Sequence, residues 1–557
     1  MTFDSDLVQR MSEKHELRLP RADESLLAQP ALTDVPELTR VNRDQLTRSD
    51  INIQGRTLEH LRQWSRRHAL QAAGEYTSWL TGEDASLPID DVDFVYVGGH
   101  QPSLFHTGVW VKNFALGALA ERTNGVGLNL VIDNDTLSSE HLQVPAGTHE
   151  RPTIETIAFD RERNPQPWEE IQIIDEPLFS SFGDRVAEAM SHWQIDPLIQ
   201  EIWPDATDPS LETHLLRDRL TAARARLERR WGLANLELPI SRLCALEPFQ
   251  WFAGHLFANL PRFREVYNGA LADYRSQNKI RSRTHPVPDL REQDGWLESP
   301  FWVWKAGQST RGRVFTRQVA REVHLSDGTD VFARLKLSPD MDACCAVEGM
   351  QDLPQQGIRL RTRALTTTLF ARLCLGDMFV HGIGGAKYDE MTDRIIERFF
   401  GLEAPSYLTM SATLHLPLGE PYDVHPIDEV RIQSLIRDLQ YNADRHLTSP
   451  DAAEANTLVA QKQQLIGEQH AAKTQGLGRR QRRERSRTNF ERFRRLQQVN
   501  EQLKELSARQ GQPLLSELET TRAQLAANSI LQNREFSFSL FPAEKLRTFM
   551  TDLWPST

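Results

Sequence analysis

A strand, a glycine-bearing turn, a helix and a second strand follow one another twice in this chain, and that pattern limits the folds open to it. In the first occurrence, Phe94-Val95-Tyr96-Val97 is a β-branched and aromatic strand closed by Gly98-Gly99-His100-Gln101. An apolar helical stretch, Val109 to Ala120, leads to a second strand, Leu128 to Ile132, closed by Asp133-Asn134-Asp135. In the second occurrence, Ala364 to Leu375 is helical, Met378-Phe379-Val380 is a strand and His381-Gly382-Ile383-Gly384-Gly385 is a loop. Tyr388 to Phe400 forms the next helix and Tyr407 to Leu416 the next strand. Strands joined through a helix pair in parallel, so the two runs predict one α/β sheet split by an insertion.

The stretches around these halves differ in character. An amphipathic helix is expected from about Thr57 to Leu80, ending near Gly82. Residues 183–194, 211–231, 245–259 and 262–278 read as helices, the second starting near Ser210 with Glu212 as an early acidic residue. Residues 299–336 alternate and are β-branched, with turns at Gly307 and Gly328, which predicts an antiparallel meander. Beyond Ile427, Leu496, Val499, Leu503 and Leu506 follow the spacing of a coiled-coil seam, as do Ile432, Ile436 and Leu439. Gln475-Gly476-Leu477-Gly478 is the expected apex of an antiparallel helical hairpin, and Pro450 and Gly511-Gln512-Pro513 should interrupt its arms. The chain therefore divides into a helical region (1–90), a first half of the core (91–145), an inserted helical and antiparallel β region (146–356), a second half (357–428), a coiled-coil hairpin (429–535) and a tail packing on the core (536–557).

Composition narrows the class of function. The net charge of the 557 residues is −12, yet Lys473 to Arg495 holds ten Lys/Arg and two Glu, leaving −20 for the rest. Overall acidity argues against a nucleic-acid binder. The run Arg479-Arg480-Gln481-Arg482-Arg483 could hold RNA or DNA, but a solvated face or a contact with an acidic partner explains it equally well. No run of 18 apolar residues and no basic, then apolar, leader is present, so neither a membrane span nor secretion is expected. Four cysteines form no zinc or disulfide pattern, and the vicinal pair Cys344-Cys345 is read as buried small hydrophobes. A cytoplasmic protein is the expectation.

Chemistry concentrates at the two turns. In the first, Gly98 and Gly99 would let backbone amides approach an anion at the helix start, with His100 and Gln101 as donors. A plain strand-to-helix turn with a polar cap explains the same residues. The second turn places His381, Gly382, Gly384 and Gly385 ahead of Lys387, which suits a phosphate or carboxylate although the Walker A spacing is absent. Tight strand–helix packing is its alternative. Two such turns on one sheet edge would make a ligand crevice at a switch point. Asp133 and Asp135 end a strand at that edge and could hold Mg2+, bind an amine or act as a base, or simply cap the next helix. His106 lies near the helix start, and with no cysteine or third histidine nearby no metal site is expected. Phe301, Trp302 and Trp304 are read as packing.

Several of these motifs have counterparts in one family. Val97-Gly98-Gly99-His100-Gln101-Pro102-Ser103-Leu104-Phe105 resembles the TGQQPG-L signature of the bacillithiol-biosynthesis cysteine-adding enzymes, the BshC family. Leu130 to Asp135 falls where that family has its EDHD strand end, Val380 to Gly384 is similar to its VGGPG loop, and Met410-Ser411-Ala412-Thr413 resembles its SxT strand. The resemblance covers roughly residues 90–557 through short motifs. It implies a Rossmann-like core that binds ATP or another nucleotide and a homodimer formed through the coiled coil. The implied reaction joins cysteine to an amino-sugar acceptor such as glucosaminyl-malate. Carried over by position, it makes His100, Asp133 and Asp135 catalytic candidates. Gly98, Gly99, Gln101, Gly382, Gly384, Ser411 and Thr413 become nucleotide- or substrate-binding candidates by the same carry-over, and the reading of the two turns adds His106, His381, Gly385 and Lys387. His100 stands where the family has glutamine, Ile132 for its glutamate, Asn134 for its histidine and Thr409 for its arginine. Those departures keep open a second expectation, a non-catalytic member acting as a nucleotide-sensing or coiled-coil scaffold.

Overall fold

The computed structural model describes residues 17–282, 284–442, 452–473 and 479–553. In chain order the elements that matter here begin with β1 (Ser25–Gln29), α1 (Leu58–Thr81), β2 (Phe94–His100), α2 (Thr107–Arg122), β3 (Gly125–Val131), α3 (Leu216–Arg230) and β4 (Leu236–Pro239). They continue with α4 (Glu247–Ala258), α5 (Leu260–Gln277), β5 (Trp296–Lys305), β6 (Gly312–Val319), β7 (Glu322–Ser326), β8 (Val331–Lys336) and β9 (Ile358–Thr362). β10 (Met378–His381), α6 (Ile383–Ile395) and β11 (Tyr407–Thr413) complete the sheet-bearing part. The helices α7 (Pro426–Tyr441), α8 (Ala452–Lys473) and α9 (Arg479–Leu531) follow. Among the described residues the chain forms two compact units. One takes those of 1–146, 154–417 and 534–557, the other those of 147–153 and 418–533.

The first unit is built on a six-stranded sheet of order β1-β11-β10-β2-β3-β4. Every neighbouring pair is parallel except β1 with β11. Successive strands move outward from β2 through β3 to β4 on one side, then from β10 to β11 on the other. The strand order thus reverses between β2 and β10, where Val380 pairs with Gly98. The expected halves are joined in this sheet, and two further strands join them. β4 lies inside the stretch read as an insertion, and β1 adds an antiparallel edge from the region read as helical. The remaining insertion supplies α3, α4, α5 and β5 to β8, and β9, from the stretch expected as the second half of the core, completes a second, antiparallel sheet of order β8-β7-β6-β5-β9.

Local chemistry explains the boundaries. Thr57 caps α1 by accepting from the His60 amide at 3.2 Å, and Gly82 ends it in the left-handed region at φ 74°. The buried Asp377 carboxylate accepts from the Val95 amide at 2.9 Å and pairs with Arg62 at 2.8 Å and Arg66 at 3.1 Å, tying α1 to the sheet. α3 begins at Leu216 rather than near Ser210, because Glu212 turns to φ 45° and breaks the helical path. The vicinal cysteines are corrected too. Cys344 and Cys345 are exposed, in the first turn of a helix where Asp342 accepts from the Cys344 amide at 3.0 Å.

In the second unit Val499 and Leu503 are buried against Leu458, Val459 and Leu465, as the heptad spacing predicts. Glu468 pairs with Arg492 and Glu429 with Arg522, so α7 and α8 run antiparallel to α9. The Gly511-Gln512-Pro513 triplet does not interrupt α9, which continues for 53 residues. Pro513 removes one backbone hydrogen bond from a long ladder, and packing of α7 on α9 supports the helix around it. The expected apex Gln475–Gly478 and Pro450 lie outside the described residues. No helix among the described residues is long and apolar enough to cross a membrane.

Candidate functional site

The C-terminal ends of β2 and β10 meet at the reversal of strand order, and a helix starts directly after each. The turns are shorter than the glycines suggest. β2 runs through Gly98, Gly99 and His100, because β3 completes the ladder through Gly98–Asn129, Gly99–Leu130 and His100–Val131. Gly98 is a packing residue, since a Cβ there would sit 3.1 Å from Leu116 of α2. Likewise α6 begins at Ile383, so Gly384 and Gly385 form its first turn and only Gly382 remains as an extended N-cap without a side-chain cap. A Cβ on Gly382 or Gly384 would meet nothing within 4 Å, whereas one on Gly385 would lie 2.9 Å from His381 Nδ1. Open space therefore lies over the start of α6, where free amides and the helix dipole favour an anion.

The two histidines at the strand ends are buried and differently committed. His100 Nδ1 lies 3.0 Å from the Gln101 carbonyl and Nε2 3.1 Å from Asn113 Oδ1. Both partners are acceptors, so a neutral ring satisfies only one at a time. Burial, with Arg224 and Lys112 nearby, holds His100 well below the ordinary histidine range. Asn113 continues inward by donating to Glu228 at 2.8 Å, and Glu228 accepts from Arg224 at 2.8 Å. His381 Nε2 donates to Asp389 Oδ2 at 2.8 Å, leaving Nδ1 without a hydrogen-bond partner among the described residues. Burial pushes Asp389 up, but Arg372 and His381 outweigh it and hold the carboxyl at about 2. A neutral histidine oriented by a carboxylate, its other nitrogen open, has the form of a general base.

Lys112, on the second turn of α2, is the residue that sequence reading missed. It is 6% exposed and donates to the Gly99 carbonyl at 3.2 Å. Burial lowers its pKa to about 8, and its charge in turn depresses His100, His106 and His381. A lysine in the otherwise apolar run Val109-Trp110-Val111-Lys112 was the available signal.

The remaining candidates fall into three places. His106 caps α2, accepting from the Gly108 amide at 3.1 Å through Nδ1 and facing Glu535 at 3.4 Å through Nε2. Arg534 crosses the same helix start, donating to the Ala412 carbonyl at 2.7 Å and to Ser411 Oγ at 3.2 Å. Thr413 instead turns to the Pro20 carbonyl at 2.6 Å, and Lys387 is exposed on α6. The two aspartates after β3 separate sharply. Asp133 is fully buried, accepting from the Ser241 amide at 2.9 Å and from the Ser241 hydroxyl and Arg217. The side chain of half-buried Asp135 is 42% exposed, accepts from Gln101 Nε2 at 2.5 Å and pairs with Arg311 at 3.0 Å. Beside Arg311 opens a cavity of about 480 Å3 lined by Thr136, Asn164, Pro165, Trp302, Ser309 and Thr310, large enough for a small organic ligand. Trp302 lies under Arg311 and Arg363, with guanidinium carbons 4.9 and 4.3 Å from its ring centre.

Comparison with models of known protein families and with curated protein sequences finds no match to this chain.

Proposed function

We propose that this protein is a nucleotide-dependent ligase whose Rossmann-like core binds ATP or a related nucleotide at the strand-order reversal. The observation that carries the reading is the open space over Gly382 and Gly384 at the uncapped start of α6, beside the C-terminal end of β2. In open α/β sheets ligands sit at such a reversal, with phosphate groups at a helix N-terminus. Following the motif resemblance, cysteine is the carboxylate donor and an amino sugar resembling glucosaminyl-malate the acceptor, in the synthesis of a low-molecular-weight thiol. The nucleotide supplies activation of the carboxylate. His381, oriented by Asp389, takes the proton from the attacking amine through Nδ1. Asp135, rather than the enclosed Asp133, offers an exposed carboxylate to an ammonium group or Mg2+. The cavity beside Arg311 accepts the second substrate, and α7 to α9 form a coiled coil that joins two copies.

A second reading is a non-catalytic scaffold, favoured by the engagement of Asp133 with Arg217 and Ser241 and by Ile132 and Asn134 in the EDHD position. Comparison of low-molecular-weight thiols in cells with and without the protein separates the two. Loss of one thiol is expected for the ligase, and an unchanged thiol profile would favour the scaffold.

A further inference from the structure

A buried ammonium group needs a counter-charge, and Lys112 has none. Its Nζ donates to the Gly99 carbonyl at 3.2 Å, and no carboxylate among the described residues lies within ion-pair distance. Elsewhere in this unit buried cations are paired: Arg62 with Asp377 at 2.8 Å, Arg224 with Glu237 at 2.6 Å and Arg372 with Asp389 at 2.5 Å. The titratable groups that respond to Lys112 are His100 at the end of β2, His381 at the end of β10 and His106 at the start of α2. Beyond them stand Arg224, Asp389, Arg372, Arg534 and Glu535. A buried ammonium without a counter-charge, set beside the two strand ends, is the donor an oxyanion requires.

We propose that Lys112 is the anchor for an oxyanion of the ligand, a phosphate or a carboxylate group, held between His100 and His381 at the strand-order reversal. The anchor rests on the nucleotide reading for its place in the reaction, but its chemistry is independent of which anion arrives. Occupancy by an anion restores the missing counter-charge, so Lys112 is fully protonated when the site is filled. Burial lowers the amine of the empty site towards pH 8, so binding at that pH should be accompanied by proton uptake.

The test is isothermal titration of the full chain at pH 8 with ATP, inorganic pyrophosphate and succinate. Two buffers of different ionisation enthalpy give the protons exchanged. The intact protein is compared with Lys112→Met, whose thermal unfolding is measured in parallel to show that it folds. The expected result is at least tenfold weaker binding by the variant and loss of the proton uptake. Equal ATP binding by both proteins overturns the anchor and leaves the nucleotide reading standing. Binding of pyrophosphate or succinate that depends on Lys112, with no ATP binding, upholds the anchor and sinks the nucleotide reading. No binding of any of the three anions overturns both.

Discussion

The two aspartates that close β3 are neighbours in sequence with opposite physical roles. Asp133 neutralises a buried guanidinium, and Arg217 keeps only Asp218, at 3.0 Å, if that charge is removed. Asp133→Asn is therefore expected to lower the unfolding free energy by about 2–3 kcal/mol, since breaking a buried pair leaves a charge poorly compensated. Asp135 is partly solvated, so Asp135→Asn should change stability by less than about 0.5 kcal/mol while weakening substrate binding. Urea unfolding of the two variants checks the contrast, and equal losses would refute it. The sequence shows both carboxylates at the right edge but not which is enclosed. That depends on Arg217 and Ser241, which are distant in the chain and brought there by α3 and the turn after β4. Lys112 was hidden differently, because a single lysine in an apolar helix looks like a solvated position until both strands beside it are known.

At the scale of elements, periodicity located α1, α2, β2, β3, β10 and β11 to within a few residues. Their β-branched or amphipathic patterns agree with their burial. Two strands of the six-stranded sheet escape the pattern for physical reasons. β1, Ser-Leu-Leu-Ala-Gln, has no β-branched residue and is held as an edge strand by five antiparallel pairings to β11. β4, Leu-Glu-Leu-Pro, carries a glutamate that looks exposed but is 1% exposed and paired with Arg224. The sequence suggests a loop for all the glycines after β10, whereas the helical backbone of Gly384 and Gly385 makes them part of the first turn of α6 and only Gly382 stays extended. Gly384→Ala should then raise helix stability by about 0.4–1 kcal/mol, because no neighbour opposes the added methyl. It should also weaken ATP binding, since the methyl enters the open space over the helix start. Gly385→Ala presses on the His381 ring and should destabilise instead. Thermal unfolding and ATP titration of the pair test this, and a destabilised Gly384→Ala would contradict the helical assignment.

For the whole molecule, the charge of −12 is an average over unlike parts. The basic cluster falls mostly at the start of α9, and the acidic remainder is spread over both units, most of it in the sheet-based one, where buried charges are largely paired. In the helical unit, Ile427, Val430, Tyr441, Phe490 and Phe493 are each more than half exposed, an unusual number of large apolar groups for a solvated helix surface. The proposed joining of two copies through these helices predicts sedimentation at twice the 63.7 kDa chain mass. The doubly substituted Val430→Asp, Phe493→Asp chain should sediment as a monomer with its sheet unit intact, and a monomeric native protein would refute the dimer. The central claim, that the strand-order reversal between β2 and β10 is a nucleotide site, is tested most directly by amide hydrogen exchange with and without ATP. Slower exchange confined to residues 99–113 and 381–387 is the predicted result. Unchanged exchange there, or protection only elsewhere in the chain, would contradict it.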